Sequence, residues 1–431
     1  MLKIAGINML RISIPSILMI GIYVYQYIGF PMLYFGLDNF RSYYVQDKTI
    51  MLIVFAYSSI TITLLLLGFI AAKKYFGSLH GRYSYNAFDQ TVESANSLER
   101  FVIVSLFVIS SLVLFRYFQI IGFNNIALFS ALGFIDTELT SEKLRSLMGN
   151  EFAGKYHWYK LFMRDLLSIA VFASFAVYLT KPKASHLIMF SLFFLVASVS
   201  TLAATEKGPF LWLLIGVFFT YIIAKKNGLI SKLYFFVGIA GLFLLMGISF
   251  WLFKGSPDIV TGVQHAFSRL FSGQMQGLYH YVELFPKQMD YLYGLSFPNP
   301  GGLLPYAPVQ LTVEVMNTVM PQLSGRGVVG SMPTFFWGEM YANFGFAGVL
   351  LPPFIIGFLL YWFNIFLMRM RVTPTTIALI VWASLHFKDL SGASLSTFIV
   401  DIYLWVIMMI VMTGLFVARR GAIRLRYRYA K

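Results

Sequence analysis

Along almost all of its 431 residues the chain alternates long apolar runs with short polar connections. A run of about 17–25 mostly apolar residues is long enough to cross a bilayer as a helix. Ten runs are of spanning length: 10–35, 50–72, 101–123, 161–180, 186–204, 208–224, 233–253, 335–367, 374–391 and 394–418. They predict an all-α polytopic membrane protein, a single integral membrane domain over 1–431 with about ten transmembrane helices. No small-residue cleavage site follows the first run, which reads as a retained signal anchor. Two connections break the rhythm by their length, 124–160 and 254–334. Connections this long without an obvious helical period are usually functional or disordered. In the second, Phe285, Pro286, Tyr291, Tyr293, Gly294, Phe297 and Tyr306 argue for packing, because aromatic rings need a surface to rest on.

Composition agrees with the pattern. Apolar residues fill 58% of positions and charged residues 12%, against about a quarter charged in ordinary soluble domains. Cysteine is absent, which excludes disulfides and thiolate metal sites. The formal net charge of +15 would point to nucleic acid in a soluble protein, but in a membrane protein it is first a matter of topology. With a cytoplasmic N-terminus the inner connections carry nineteen basic residues, from Lys3 to Lys431, against the three acids Asp89, Glu93 and Glu99. The outer side is then close to neutral, so both termini are expected inside and both long connections outside. The basic tail Arg419 to Lys431 reads as a membrane-surface anchor. No nucleic-acid partner is implied.

Ionisable groups near the bilayer are costly, so each asks for a partner or a wet cavity. Arg116, Arg164, Asp165, Glu206, Lys207, Glu339, Lys388, Asp389 and Asp401 all fall at the outer ends of runs. An ion relay would need matching groups in the inner halves, and those are missing. The one-sided distribution predicts a polar cavity open to the outside, lined by Arg116, Arg164, Glu206, Tyr341, Asn343 and Asp401. Each charge also has a plainer reading: a solvated turn for Glu206-Lys207, interfacial neighbours for Arg164-Asp165 and Lys388-Asp389, a helix-dipole charge for Glu339, and a structural partner of Lys388 or Arg116 for Asp401.

Arg145, Lys207, Arg269 and Arg326 offer permanent positive charge in this outer region, and the arginine fork matches phosphate oxygens. A lipid diphosphate fits such a site, with its tail in the bilayer and its head at the boundary. Cations there stabilise charge developing on a departing diphosphate. Glu339, desolvated at the mouth of a run, is a candidate proton acceptor for a sugar hydroxyl, and His280 is a second. His280 between Tyr279 and Tyr281 also reads as a structural histidine. Metal signatures are weak: DxD and HExxH motifs are absent, and His280 with Glu283 has no evident third ligand. A metal-independent mechanism without a cofactor is expected. No P-loop is present, which argues against nucleotide-driven transport.

Three stretches carry a family resemblance: Thr205-Glu206-Lys207-Gly208-Pro209-Phe210-Leu211; His265-Ala266-Phe267-Ser268-Arg269-Leu270 with Gly277-Leu278-Tyr279 and Glu283-Leu284-Phe285-Pro286; and Pro333 through Gly345 with Gly348. Together with the ten-run topology, the chain resembles the Wzy-type oligosaccharide repeat-unit (O-antigen) polymerases. The resemblance implies a bacterial inner-membrane enzyme of GT-C-like architecture, with the long connections in the periplasm. It implies glycosyl transfer from a chain on undecaprenyl diphosphate to a fresh lipid-linked repeat unit, for O-antigen or a related surface polysaccharide in lipopolysaccharide biosynthesis. A chain-length regulator and a flippase would be its partners. The family's essential loop arginines correspond by position to Arg145 and Arg269. The Arg-x10-Gly pattern of the family is not kept, since Tyr156 and His280 stand where glycine would. In related ligases a periplasmic histidine is used, and His280 would correspond. A ligase-type glycan transferase and a flippase or transporter of lipid-linked oligosaccharides are the alternatives. Repeated halves and midplane polar groups, expected of many transporters, are not evident in the sequence.

Overall fold

The structure is a computed structural model that describes residues 1–78, 92–135, 139, 141–149, 152, 155–238, 240–241, 244, 247, 258–299, 302–324, 330–396 and 402–418. Among the described residues every regular element is helical. In chain order the principal helices are α1 (Ile14–Tyr34), α2 (Lys48–Phe76), α3 (Ser97–Ile121), α4 (Ser141–Met148), α5 (Tyr156–Thr180), α6 (Ala184–Leu202), α7 (Gly208–Lys226), α8 (Ile259–Phe267), α9 (Gly273–Leu284), α10 (Leu311–Val319), α11 (Phe336–Phe344), α12 (Phe346–Arg369), α13 (Pro374–Phe387) and α14 (Ile402–Ala418).

Seven of these, α1, α2, α3, α5, α6, α7 and α12, are long and apolar enough to cross a membrane. The protein is therefore a polytopic α-helical membrane protein. Most of the expected run 233–253 lies outside the described residues. The expected runs 374–391 and 394–418 are represented by the shorter α13 and α14, of 14 and 17 residues. The run 335–367 is broken: α11 ends at Gly345, whose φ of 58° and ψ of −141° only glycine adopts without strain. Glu339 consequently lies on a separate nine-residue helix ahead of the span.

Local sequence explains the starts. Ser13 caps α1 through Ser16 N–H at 3.2 Å, Asn96 caps α3 through Glu99 N–H at 2.7 Å, and Asp258 caps α8 through Thr261 N–H at 2.7 Å. Three helical stretches widen to π geometry: Tyr23–Ile28 within α1, Leu161–Leu166 within α5, and Ser268–Ser272 between α8 and α9.

The chain divides into two compact units, Met1–Tyr83 with Ile239–Ile365 and His386–Asp401, and Ser84–Gly238 with Phe366–Leu385 and Ile402–Lys431. In the first unit glycine sets the closest approaches. A Cβ on Gly68 of α2 would stand 2.3 Å from the Phe354 carbonyl oxygen of α12, and one on Gly357 would stand 2.3 Å from the Leu65 carbonyl oxygen. Close backbone contact through small residues is how helices associate where lipid removes the hydrophobic drive. Likewise a Cβ on Gly29 would stand 2.1 Å from the Phe271 carbonyl oxygen, and one on Gly277 2.5 Å from that of Pro333. These contacts seat α9 between α1 and α11 over fully buried Trp337, Tyr279, Tyr281 and Phe335.

In the second unit α5 is the pillar: 67% of its spanning window is buried, against 28–44% in the other spans. Helices α3, α6 and α7 pack around it. The described residues of the 124–160 connection fold as short helices onto the ends of α3 and α5, over a core of Leu114, Tyr117, Phe118, Ile126, Leu144, Met148 and Met163. The Tyr117 hydroxyl donates to the Met148 carbonyl oxygen.

Candidate functional site

In the first unit, α9 carries the richest constellation. Its positions 273, 276 and 280 recur with helical spacing and share one face. Along this face lies the short connection between α1 and α2. The Arg41 guanidinium donates to Gln276 Oε1 at 2.6 Å and lies beside Gly273. Asp38, buried, accepts the backbone N–H groups of Phe40 and Arg41 at 2.9 and 3.2 Å and so fixes the turn that presents Arg41. Arg269, exposed on the π turn ahead of α9, is close enough to Arg41 to repel it. Burial lowers the Arg41 pKa from its ordinary value, Asp38 opposes that, and Arg269 adds to it. A half-buried guanidinium on this face and an exposed one on the turn ahead of it favour a multiply charged anion.

His280 stands one helical turn beyond Gln276 and is 4% exposed. Its Nδ1 meets Glu283 Oε2 at 2.9 Å. A carboxylate only accepts, so Nδ1 carries the proton and Nε2 of the neutral ring keeps its lone pair. Burial lowers the His280 pKa from its ordinary value, and Glu283 partly opposes this. The ring is therefore neutral near pH 7. The Tyr279 hydroxyl donates to Glu283 Oε1 at 3.2 Å and accepts the Asp47 N–H at 3.1 Å, tying the same α1–α2 connection to the dyad. Among the described residues, Arg41 Nε, Gln276 Nε2 and His280 Nε2 are buried polar atoms without a hydrogen-bond partner. Such atoms are uncommon in native proteins, and each asks for an explanation.

Glu339, expected to be desolvated at the mouth of a run, is buried, and it stands on the short helix α11 ahead of the span. It is 2% exposed. Its Oε1 accepts the hydroxyls of Ser396 at 2.5 Å and Ser296 at 2.9 Å, and its Oε2 accepts the Ser396 N–H at 2.9 Å. Burial raises its pKa, while these donors and the Leu395 N–H oppose the rise. Asn343, one turn on, donates to Ser296 Oγ and to the Glu339 carbonyl at 2.8 Å and accepts Gly294 N–H at 2.8 Å. The pair thus clips the 292–296 and 395–396 segments onto α11. Tyr341 donates to the Phe285 carbonyl at 3.2 Å and packs against Tyr57 and Tyr291.

In the second unit the expected arginines are engaged. Arg164, on the π turn of α5, pairs with Glu206 at 2.6 Å. Its neighbour Asp165 accepts the Trp382 indole N–H at 3.0 Å. Arg145 Nε donates to Thr205 Oγ1 at 3.0 Å, so both arginines grip the Thr205–Glu206 turn before α7. Thr205 has φ 51°, a left-handed conformation unusual for a β-branched residue. Lys207 opens the helix that continues as α7. Arg116 is exposed and donates to Gln119 on its own helix at 3.3 Å. Arg326 and Asp401 lie outside the described residues. In the first unit Lys388 pairs with the adjacent Asp389.

Arg41 and Gln276 carry no signal in the linear sequence beyond being polar, and Glu283 shows there only as the i+3 neighbour of His280. Arg41 sits in a connection of about a dozen residues, and the partner it meets is 235 positions away. Among the described residues no group of three His, Asp or Glu side chains stands close enough together to hold a metal ion. No family model, curated protein or solved structure matches the chain.

Proposed function

We propose that the protein is a membrane glycosyltransferase that extends lipid-diphosphate-linked oligosaccharides at the outer face of a bacterial inner membrane. The observation that carries this reading is the α9 face, where Arg41 donates to Gln276 one turn before a neutral His280 oriented by Glu283, with Arg269 on the turn that leads into the helix. The arginines hold the diphosphate of the donor. The acceptor hydroxyl oxygen bonds to the anomeric carbon, the bond from that carbon to the diphosphate oxygen breaks, and the hydroxyl proton passes to His280 Nε2. Charge on the departing diphosphate is met by the two guanidinium groups. Glu283 keeps the ring in the accepting tautomer. Glu339, with both oxygens already accepting hydrogen bonds, serves as a positioning residue for the α11 region.

The resemblance to repeat-unit polymerases supplies the identity of the glycan carrier, undecaprenyl diphosphate. It also supplies the ten-span GT-C-like architecture with cytoplasmic termini, and the expected association with a chain-length regulator and a flippase. A ligase-type transferase uses the same dyad chemistry, and the product separates the two: a ladder on the lipid carrier for a polymerase, a single transfer to another acceptor for a ligase.

Purified protein in proteoliposomes with lipid-linked repeat units is expected to yield a ladder of longer glycans, resolved by gel electrophoresis. Unextended substrate under conditions where binding is demonstrated would sink the enzyme reading. Arg269→Ala and Arg41→Ala should each lower extension by about 100-fold, as loss of a charge-stabilising donor does, with the protein still monodisperse. Full ladders from both variants would remove the arginines from the site.

A further inference from the structure

The segment between α9 and α10 presents an apolar tip of its own. From Tyr291 to Val313 there is no charged residue; Asp290 and Glu314 bracket the stretch. The Val309 N–H donates to the Leu295 carbonyl at 2.8 Å and closes the base of a loop. Asn299 braces it from within: its Nδ2 donates to the carbonyls of Leu304 and Tyr306, each at 2.7 Å, and its Oδ1 accepts Leu304 N–H at 2.9 Å. The Tyr306 hydroxyl donates to the Phe297 carbonyl at 3.2 Å. A loop whose ends meet and whose interior is cross-braced is a compact Ω-like unit. What it holds outward is hydrophobic: Leu303 is 84% exposed, Leu304 53%, Tyr293 76% and Leu295 41%.

The stem of this loop is anchored where a membrane span begins. Leu292 N–H and Tyr293 N–H donate to the carbonyls of Ala342 and Asn343 at 3.0 Å, at the C-terminal end of α11. Two residues later α12 starts, and the rings of Phe344 and Phe346 there are themselves exposed. Phe297 packs on Phe344 with ring centroids 6.2 Å apart. Exposed leucines flanked by tyrosine, without charge, continuous with the end of an apolar span, have the composition of the membrane interface, where tyrosine marks the headgroup level. A soluble protein partner is poorly matched by 23 consecutive uncharged residues.

We propose that the Leu303–Leu304 tip inserts into the lipid leaflet on the side where α12 begins, making the loop an interfacial anchor. This inference does not depend on the glycosyl-transfer reading.

The natural absence of cysteine permits a direct test. Leu303→Cys, Leu304→Cys and, as control, exposed Glu314→Cys are labelled with an environment-sensitive fluorophore. Each is reconstituted into phosphatidylethanolamine–phosphatidylglycerol vesicles with iodide on both sides. Labels at 303 and 304 are expected to emit at shorter wavelength than at 314, to be quenched by nitroxide-bearing lipid, and to be quenched several-fold less by iodide. Iodide access at 303 and 304 equal to that at 314, with no nitroxide quenching, would overturn the proposal. Protection seen in native membranes but lost in pure lipid vesicles would equally overturn it, by assigning the tip to a protein partner.

Discussion

Glu339 shows how a residue conspicuous in the sequence acquires a meaning from partners that are not. A carboxylate among apolar residues is visible at once, yet Ser296 and Ser396, 43 and 57 positions away, decide what it does. Replacing it by alanine leaves the Ser396 N–H and two hydroxyls to find new partners beside a new cavity, a loss of about 2–4 kcal/mol. Glutamine keeps one acceptor and places its amide against hydroxyls that also accept, so its loss should be smaller. The sign of the pH effect follows from the raised pKa of the folded state. The folded protein holds the proton more tightly than the unfolded chain, so stabilisation is full below the ordinary value of 4.5 and fades as pH rises through the higher folded value. Thermal unfolding of wild type and Glu339→Gln across that window should show the slope flattened in the variant. At His280 the expected readout is kinetic. Its folded pKa lies below 6.5, so extension should rise through an acid limb below that value and hold at neutrality. Glu283→Gln removes what opposes the effect of burial and shifts the limb to still lower pH, with a reduced kcat. A merely structural dyad would alter amount of folded protein and leave the limb where it was.

At the scale of elements, hydropathy made seven spans legible because a lipid-facing helix writes its length into the sequence. It did not reveal the break at Gly345, since both sides of the break are apolar and the cause is one backbone conformation. Nor did it reveal the three π turns. Each carries a polar residue that a regular helix would rotate elsewhere: Gln26, Arg164 with Asp165, and Arg269. Such single-turn widenings recur at functional positions, and here they turn side chains that periodicity alone assigns to another face. The pairing of α2 with α12 was equally silent, because glycines in apolar runs are common. In the structure Gly68 and Gly357 form reciprocal contacts with the opposite backbone. Gly68→Ala or Gly357→Ala should each destabilise the first unit by about 1–3 kcal/mol through forced separation of the helices. Once the helices are apart the second methyl costs little, so the double variant should fall well short of the sum. Thermal melts of the detergent-solubilised single and double variants measure this directly, and strict additivity would show that the two sites are not one contact.

For the whole molecule, charge and helix lengths together constrain how often the chain crosses the membrane. Helix α7 ends in Lys225 and Lys226, and α12 ends in Arg369 with Arg371 beyond it. If basic ends lie inside, α7 runs inward and α12 also runs inward, so one further crossing must occur between them. The apolar run 233–253 is the one stretch there of spanning length. Beyond α12, α13 and α14 are together neutral in this count: whether both cross or both turn back, the basic tail from Arg419 returns to the side of Arg369. A helix of 14 residues covers only about 21 Å at 1.5 Å per residue, less than the roughly 30 Å hydrocarbon core, so a shallow α13 is physically reasonable and changes nothing in the parity. Reporter fusions that distinguish the two sides are therefore expected to place residue 228 and the C-terminus inside, and residue 310 outside. A fusion at 310 reporting from the inner side would remove the crossing at 233–253. It would also place the α9 face in a compartment where a lipid-diphosphate donor presented from outside does not reach.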